Sequence, residues 1–399
     1  MTFRPSFSSL YARKLLLRGE LERSIGRDSA ERAARDGHAR RRPRPCGLAI
    51  HSVVGCSARC AYCYVPDMGF DFARARPYGL AKEELLYALL TNPYFFPTIA
   101  GTYLPFGSIG EPFHPAGAKK TLEYMAGVAR ILGNPIQFST KMLVSERLAD
   151  ELGKIGGSPI SPLITVVTLR EHRRLEPGAP PPRARLDGMR ALRKRGFHPF
   201  LFFRPIIPGV NVEEAEEIFE EARESGAVGV VLGGLRVTEA IVRRLEERGF
   251  SVEQILSRVS GLRGSEQVSV FVADLKRELI ELAREKGLIP LASACCATTL
   301  SIMLETGTRI PCANLCFARK GYCTGCPVDC GGIRVEVDEG DVKLAAKEVL
   351  GVECRRVESC NGLVRITVGS RSEVKKLRRR AYLLRILEGI YRKRIAVVS

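Results

Sequence analysis

From Gly47 to about Leu291 the chain alternates short apolar runs with stretches in which apolar residues recur at helical spacing. The runs Leu48–Val54, Thr102–Phe106, Ile136–Ser139, Leu163–Thr168, Pro199–Arg204 and Val228–Leu232 read as strands. The stretches Ala81–Thr91, Lys119–Leu132, Val144–Leu152, Ala184–Arg195 and Glu213–Glu224 read as helices, with Gly196 and Gly226 placed to end the last two. Such alternation is the pattern of βα units around a parallel sheet. Six units predict an α/β fold built as a partial (β/α)6 TIM-type barrel, in which chemistry collects in the loops at the C-terminal ends of the strands.

Past Leu291 the pattern changes to a cysteine-rich stretch and then a small α+β module. In that module Ile333, Val335 and Val337 alternate with polar residues, as do Val364, Ile366 and Val368, which predicts two half-buried strands. A helix near Asp341–Leu350 and a long basic helix from about Ser372 to Arg392 complete a predicted β-α-β-α order. The expected division is a basic N-terminal extension over 1–45, the barrel over 46–291, the cysteine-rich segment over 292–332 and the α+β module over 333–399. PGAPPP at Pro177–Pro182 is a rigid connection between the fourth strand and its helix.

An apolar fraction of 45% in 399 residues suits globular cores rather than disorder. Neither a stretch of about 20 apolar residues nor an N-terminal export signal is seen, which predicts a cytoplasmic protein without a membrane span. The net charge of +18 is concentrated in Arg13–Arg44 and Arg371–Arg394. Those runs are either a solvated surface or the footprint of a polyanion, most simply a nucleic acid.

The 13 cysteines fall in short-spaced groups, which in a chain without an export signal points to metal ligation rather than disulfides. Directly after the first strand, GCSARCAYCYV places Cys56, Cys60 and Cys63 in one loop. Three thiolates hold three corners of an iron–sulfur cubane and leave the fourth iron open for a chelating ligand. A zinc site would want a fourth ligand nearby, and His51 lies too far inside the strand to supply it.

This spacing resembles the radical S-adenosylmethionine (SAM) superfamily, as does Tyr62 before the third cysteine. Ser108-Ile109-Gly110-Glu111-Pro112 after the second strand is similar to the family's glycine-rich acidic motif, so the resemblance implies that Gly110, Glu111 and Pro112 hold the SAM ammonium. It likewise implies contacts of Ser139, Thr140 and Lys141 with the ribose or carboxylate, and of Arg204 with the carboxylate. GEPFHP, STKM and the block from LITVVT through LEPGAP to RPIIPGVN resemble the spore photoproduct lyase-like branch. The resemblance implies a [4Fe-4S] cluster, SAM, an external electron donor and generation of a 5′-deoxyadenosyl radical. Spore photoproduct lyases return a hydrogen atom from a further cysteine, and this chain has none between Cys63 and Cys295. The wider branch is therefore implied, and thymine-dimer lyase activity is not.

A second group comprises Cys312, Cys316, Cys323, Cys326 and Cys330, with Gly321, Gly325, Gly331 and Gly332 permitting tight turns. Its thiols suit an auxiliary [4Fe-4S] cluster or a zinc ion. Cys46 and the pair Cys295-Cys296 acquire no role, and Cys354 and Cys360 read as buried small apolar side chains, the alternative being a ligand lent from the final module. The leading expectation is a radical SAM enzyme of nucleic-acid repair or modification. The alternatives are modification of a peptide or small metabolite with an auxiliary cluster, and a non-catalytic zinc and nucleic-acid binding protein.

Overall fold

The computed structural model describes residues 2–42, 47–70, 74–312, 324–360 and 362–399. Its centre is a six-stranded sheet of β1 (Leu104–Phe106), β2 (Ile136–Thr140), β3 (Ile160–Thr165), β4 (Phe200–Ile206), β5 (Gly229–Gly234) and β6 (Ile289–Leu291). The strands lie in chain order and every neighbouring pair is parallel.

Side chains leave each strand alternately to opposite faces. Ile164, Leu201, Phe203, Val230 and Leu232 enter the core formed with the crossover helices, among them Pro182–Lys194 and Ala215–Glu224. Leu163, Phe200, Phe202 and Val231 point the other way, onto the helix Ala294–Thr306. This helix is also fastened by Gln137, whose Nε2 donates to Ala294 O at 2.6 Å and to Thr298 Oγ1 at 2.8 Å. The crossover helix Glu146–Gly153 starts after Ser145, whose hydroxyl caps it by accepting the Leu148 N–H at 3.2 Å.

The expected first strand is reduced to single bridges, Ile50 to Phe106 and Gly55 to Gly110, and the sixth sheet strand is instead Ile289–Leu291. The reason is on β1. Leu48 N–H donates to Tyr103 O and Ile50 N–H to Pro105 O, both at 2.9 Å, but Pro105 has no N–H to return a bond. Arg41 Nη1 takes the Ala49 carbonyl at 2.6 Å. Only Val53–Val54 forms a ladder, antiparallel to Arg76–Pro77.

The C-terminal module contains β7 (Cys354–Cys360), β8 (Leu363–Val368) and β9 (Arg394–Val398), with β8 antiparallel to β7 and parallel to β9. The segment around Ile333–Val337 does not join it; Arg334–Val335 pairs with Thr2–Phe3. The long basic helix is two helices, Arg371–Arg379 and Ala381–Tyr391, meeting at Arg380. At about 3.6 residues per turn a straight helix would turn Val374 and Ile390 to nearly opposite sides. Both are buried, and the break lets each face the same core.

That core also takes Phe7 and Leu10, while Leu17 and Leu21 of the same helix, Phe7–Ile25, join the central core. One N-terminal helix thus bridges two hydrophobic cores. Asp341 fixes its start by accepting Phe7 N–H at 2.7 Å, Ser8 N–H at 2.9 Å and the Tyr391 hydroxyl at 2.8 Å. Not all of the basic charge faces solvent: Lys14, Arg392 and Lys393 are buried. Burial and neighbouring Arg18 pull the Lys14 pKa down to about 7.

Candidate functional site

The loop carrying Cys56, Cys60 and Cys63 runs over the C-terminal ends of the strands and is held by its own backbone. Ala61 N–H donates to Leu175 O at 2.9 Å and Gly178 N–H to Ala58 O at 3.0 Å. Arg244 donates to Ala61 O at 3.2 Å and Cys63 O at 2.5 Å, and Arg248 to Arg59 O at 2.9 Å. Arg59 itself has φ 48°, a left-handed turn between the first two cysteines. Gly178 must lack a side chain, because a Cβ there would stand 2.2 Å from Ser57 O.

Behind the loop lies a buried polar chain. The Tyr62 hydroxyl donates to Glu176 Oε1, and Glu176 Oε2 pairs with Arg185 Nη1 at 2.5 Å, both side chains of that pair being wholly buried. Arg185 also donates to Thr165 O at 3.0 Å and Pro180 O at 2.8 Å. Lys141 stands over the Tyr62 ring with its ammonium 5.5 Å from the centroid. Burial lowers its pKa, but the charges of Cys60 and Glu176 outweigh burial and hold the ammonium above its usual range. Burial raises all three thiols.

Glu111 joins the loop after β1 to the end of β2. Its carboxylate accepts the Lys141 N–H at 2.9 Å, the Phe113 N–H at 3.3 Å and the Thr140 hydroxyl. Gly110 has a packing reason to be glycine, since a Cβ would lie 2.4 Å from Val53 O at the bridge to Gly55. Pro112 O accepts from the buried Thr121 hydroxyl. Ser139 lies against Gly107, where a Cβ would come 3.0 Å from its hydroxyl. Arg204, on β4, follows Phe200 and Phe202 by alternation onto the face that carries the helix Ala294–Thr306. Its exposed side chain crosses Gly233 without a hydrogen bond to a described residue.

The structure therefore gathers the three cysteines, Gly110–Pro112 and Ser139–Lys141 at neighbouring strand ends, with Arg204 two strands away. Residues 50–222 match the family model described as the radical SAM superfamily. These residues form a radical SAM domain. Residues 50–222 thus give the chain an enzyme domain of the radical SAM class. An uncharacterized protein of Acidianus two-tailed virus is 27% identical over 53% of this chain and 71% of its own length. Uncharacterized proteins of Mycobacterium tuberculosis are 24% identical over 48% of this chain, which spans 60% of their length. Among solved structures, spore photoproduct lyase complexed with dinucleoside spore photoproduct superposes with a TM-score of 0.50 at 17% identity, covering 62% of this chain and 77% of that one. A mutant of the same lyase gives 0.50 at 16% identity over the same shares. At these identities the likeness is one of fold.

Sequence reasoning missed several residues of the radical SAM domain's supporting shell. Glu176 and Arg185 were visible only as part of a longer block, and Arg244 and Arg248, which clamp the cysteine loop, carry no local signal. The His51 ring packs at a tilt against those of His38 and Tyr78, and burial together with Arg41 pushes its pKa down to about 2. Of the second cysteine group, Cys312, Cys326 and Cys330 are described, whereas Cys316 and Cys323 lie outside the described residues, as does Cys46. Among the described residues no three Cys, His, Asp or Glu side chains are spaced to hold a single metal ion.

Proposed function

We propose that the radical SAM domain is a partial (β/α)6 barrel of the spore photoproduct lyase-like branch, that Cys56, Cys60 and Cys63 carry a [4Fe-4S] cluster, and that the enzyme repairs or modifies nucleic acid. The observation that carries the reading is the clasp of Glu111 on Thr140 and Lys141 beside the cysteine loop. The donor set fits the cluster: three soft thiols on one fixed loop with the Lys141 ammonium beside them to favour their ionised form. When bound, the cluster and SAM supply hydrogen-atom abstraction by a 5′-deoxyadenosyl radical.

The chain's own part is to bind, orient and shield. Each Glu111 oxygen that accepts from Thr140 or Lys141 keeps further lone-pair capacity, so the same carboxylate can receive an ammonium. Ser139 and Lys141 offer a hydroxyl and a cation to a ribose or carboxylate. Arg204, with no competing partner among the described residues, offers a guanidinium fork to the carboxylate. Phe113 and Phe138, edge to face at 4.9 Å, close the floor under Gly110–Pro112 against water.

A nucleic-acid substrate is supported by a cleft of about 500 Å³ against the outer side of the cysteine loop, lined by Ser57, Arg59, Arg173, Arg174, Pro177, Gly178 and Arg248. Four guanidiniums and no carboxylate line it, which suits phosphate oxygens. A base inside a duplex would be flipped out to reach the strand ends. An external donor supplies the electron, and we place the enzyme in the cytoplasm; among the described residues no helix is long and apolar enough to cross a membrane.

The test is anaerobic reconstitution followed by EPR of the dithionite-reduced protein with and without SAM, for the wild type and for a variant with Cys56, Cys60 and Cys63 changed to Ala. A reduced-cluster signal that SAM perturbs and the variant lacks is expected. Iron that never binds, or a signal indifferent to SAM, overturns the reading.

A further inference from the structure

Cys295 and Cys296 have no part in the radical SAM site, yet they stand together at the start of the helix Ala294–Thr306. Ser293 Oγ lies 3.0 Å from one sulfur and 3.4 Å from the other. Each packs with part of the second cysteine group. Cys296 shares an apolar cluster with Cys326 and Cys330, and Cys295 shares one with Cys312 and Cys330. Cys330 belongs to both, so the helix start and the cysteine turn converge on one place against the inner face of the sheet.

A cation is buried there. Arg392, 2% exposed, reaches in from the C-terminal module. Its Nη2 donates to Ala100 O at 2.7 Å and Gly101 O at 3.4 Å, its Nη1 donates to Gly389 O, and its Nε has no hydrogen-bond partner among the described residues. It makes no ion pair among the described residues. The groups whose charge it feels are Tyr103, Cys312 and Cys330.

A guanidinium does not shed its proton inside a protein, and a buried charge without an anion is costly. Carbonyl oxygens offset only part of that cost. Neutral thiols offset little, but thiolates on a metal keep a net negative charge after ligation to zinc or to a four-iron cluster. The surroundings of Arg392 thus lack an anion that a metal–thiolate centre would supply.

We propose that Cys295 and Cys296, together with Cys312, Cys326 and Cys330, furnish the thiolates of a second metal centre, and that Arg392 is its buried countercharge and positioning residue. The centre is separate from the radical SAM site and does not depend on how that site is read. The described sulfurs are not at single-ion spacing, and metal binding is expected to draw the cysteine turn onto the helix start.

The experiment uses the full chain with Cys56, Cys60 and Cys63 changed to Ala, which removes the first site. After anaerobic reconstitution, iron, zinc and acid-labile sulfide are measured per chain. Metal for about one centre should remain, fall to background on adding Cys295→Ala and Cys296→Ala, and survive Cys354→Ala with Cys360→Ala. Arg392→Met should weaken retention against a chelator by about 10–100-fold, as loss of outer-shell support does, and Arg392→Lys should restore much of it. Should the Cys295→Ala, Cys296→Ala protein fail to fold, thiol alkylation of the wild type decides: Cys296, Cys326 and Cys330 should be protected until a chelator is added. No metal in the starting variant, retention that ignores Cys295 and Cys296, or equal alkylation with and without chelator each overturns the proposal. Failure of the first site would show separately, as equal metal in the wild type and the starting variant.

Discussion

The carboxylate of Glu111 accepts the backbone N–H of Lys141 at 2.9 Å, so the loop after β1 and the loop after β2 move as one piece. Glu111→Ala leaves the N–H groups of Phe113 and Lys141 and the buried Thr140 hydroxyl without this acceptor. A loss of about 2–4 kcal/mol in urea unfolding is expected, from the usual cost of removing a charged hydrogen-bond acceptor. SAM retention in equilibrium dialysis should fall with it, and Glu111→Gln, which keeps one acceptor oxygen, should lose less of both.

Glu176 and Arg185 hold Tyr62 from behind. Arg185→Met strands the Glu176 carboxylate in the core and is expected to cost about 3–5 kcal/mol. Arg185→Met combined with Glu176→Met removes both charges and should cost less than the single change. A double variant whose loss equals the sum of the two single losses would show that the pair contributes no coupling.

At Gly178 a Cβ would meet Ser57 O at 2.2 Å, whereas at Gly153 it would meet nothing. Gly178→Ala should displace the cysteine loop and lower iron bound per chain after reconstitution. Gly153→Ala should leave iron binding unchanged and stability level or slightly higher.

His38 and His51 are both buried, and burial lowers both pKa values, that of His51 to about 2. Each binds a proton in the unfolded chain near pH 6.5 but not in the folded one. Their contribution to stability is therefore complete above about pH 6.5 and is lost as pH falls, by up to about 1.4 kcal/mol per pH unit for each histidine. Asp36 adds no slope in this range: hydrogen bonds from His38 and Tyr78 overcome burial and hold it at about 2, so its contribution is lost only below about pH 4. Urea midpoints between pH 7.5 and 5 should fall for the wild type and more gently for His51→Phe.

Arg59 and Arg173 line the cleft beside the cysteine loop and make no side-chain hydrogen bond to described residues. If the cleft holds phosphates, changing each to Ala should reduce the slope of log affinity against log salt for single-stranded oligonucleotides by roughly one. An unchanged slope, with slower reduction by an acidic protein donor but not by dithionite, would instead make this face a docking site for the electron carrier.

The parallel sheet was legible because strands and crossover helices differ in the period of their apolar residues, and five of its six strands fall within two or three residues of the expected bounds. Ile289–Leu291 was missed because three residues with a central proline carry almost no period. Leu48–Val54 was over-read for a converse reason: its apolar run is real, but Pro105 on the neighbouring strand cannot answer its hydrogen bonds. In the module the period of Ile333, Val335 and Val337 was visible, but its partner, Thr2–Phe3, lay at the other end of the sequence. The cysteine loop announced itself through three like residues close together. Its supports, Glu176, Arg185, Arg244 and Arg248, come from distant segments and look like ordinary surface charges until the fold brings them in.

The bond from Phe7 to Asp341 also orders events during synthesis. At about 5–20 residues per second, the helix that begins at Phe7 waits on the order of half a minute for the residue that anchors it. In that interval its Leu17 and Leu21 can already settle on the central core while Phe7 and Leu10 stay exposed to solvent or a chaperone. Completion of the chain then acts as a latch, and slowing translation beyond codon 300 should lengthen the time for which the nascent enzyme is open to proteases at its N-terminal helix.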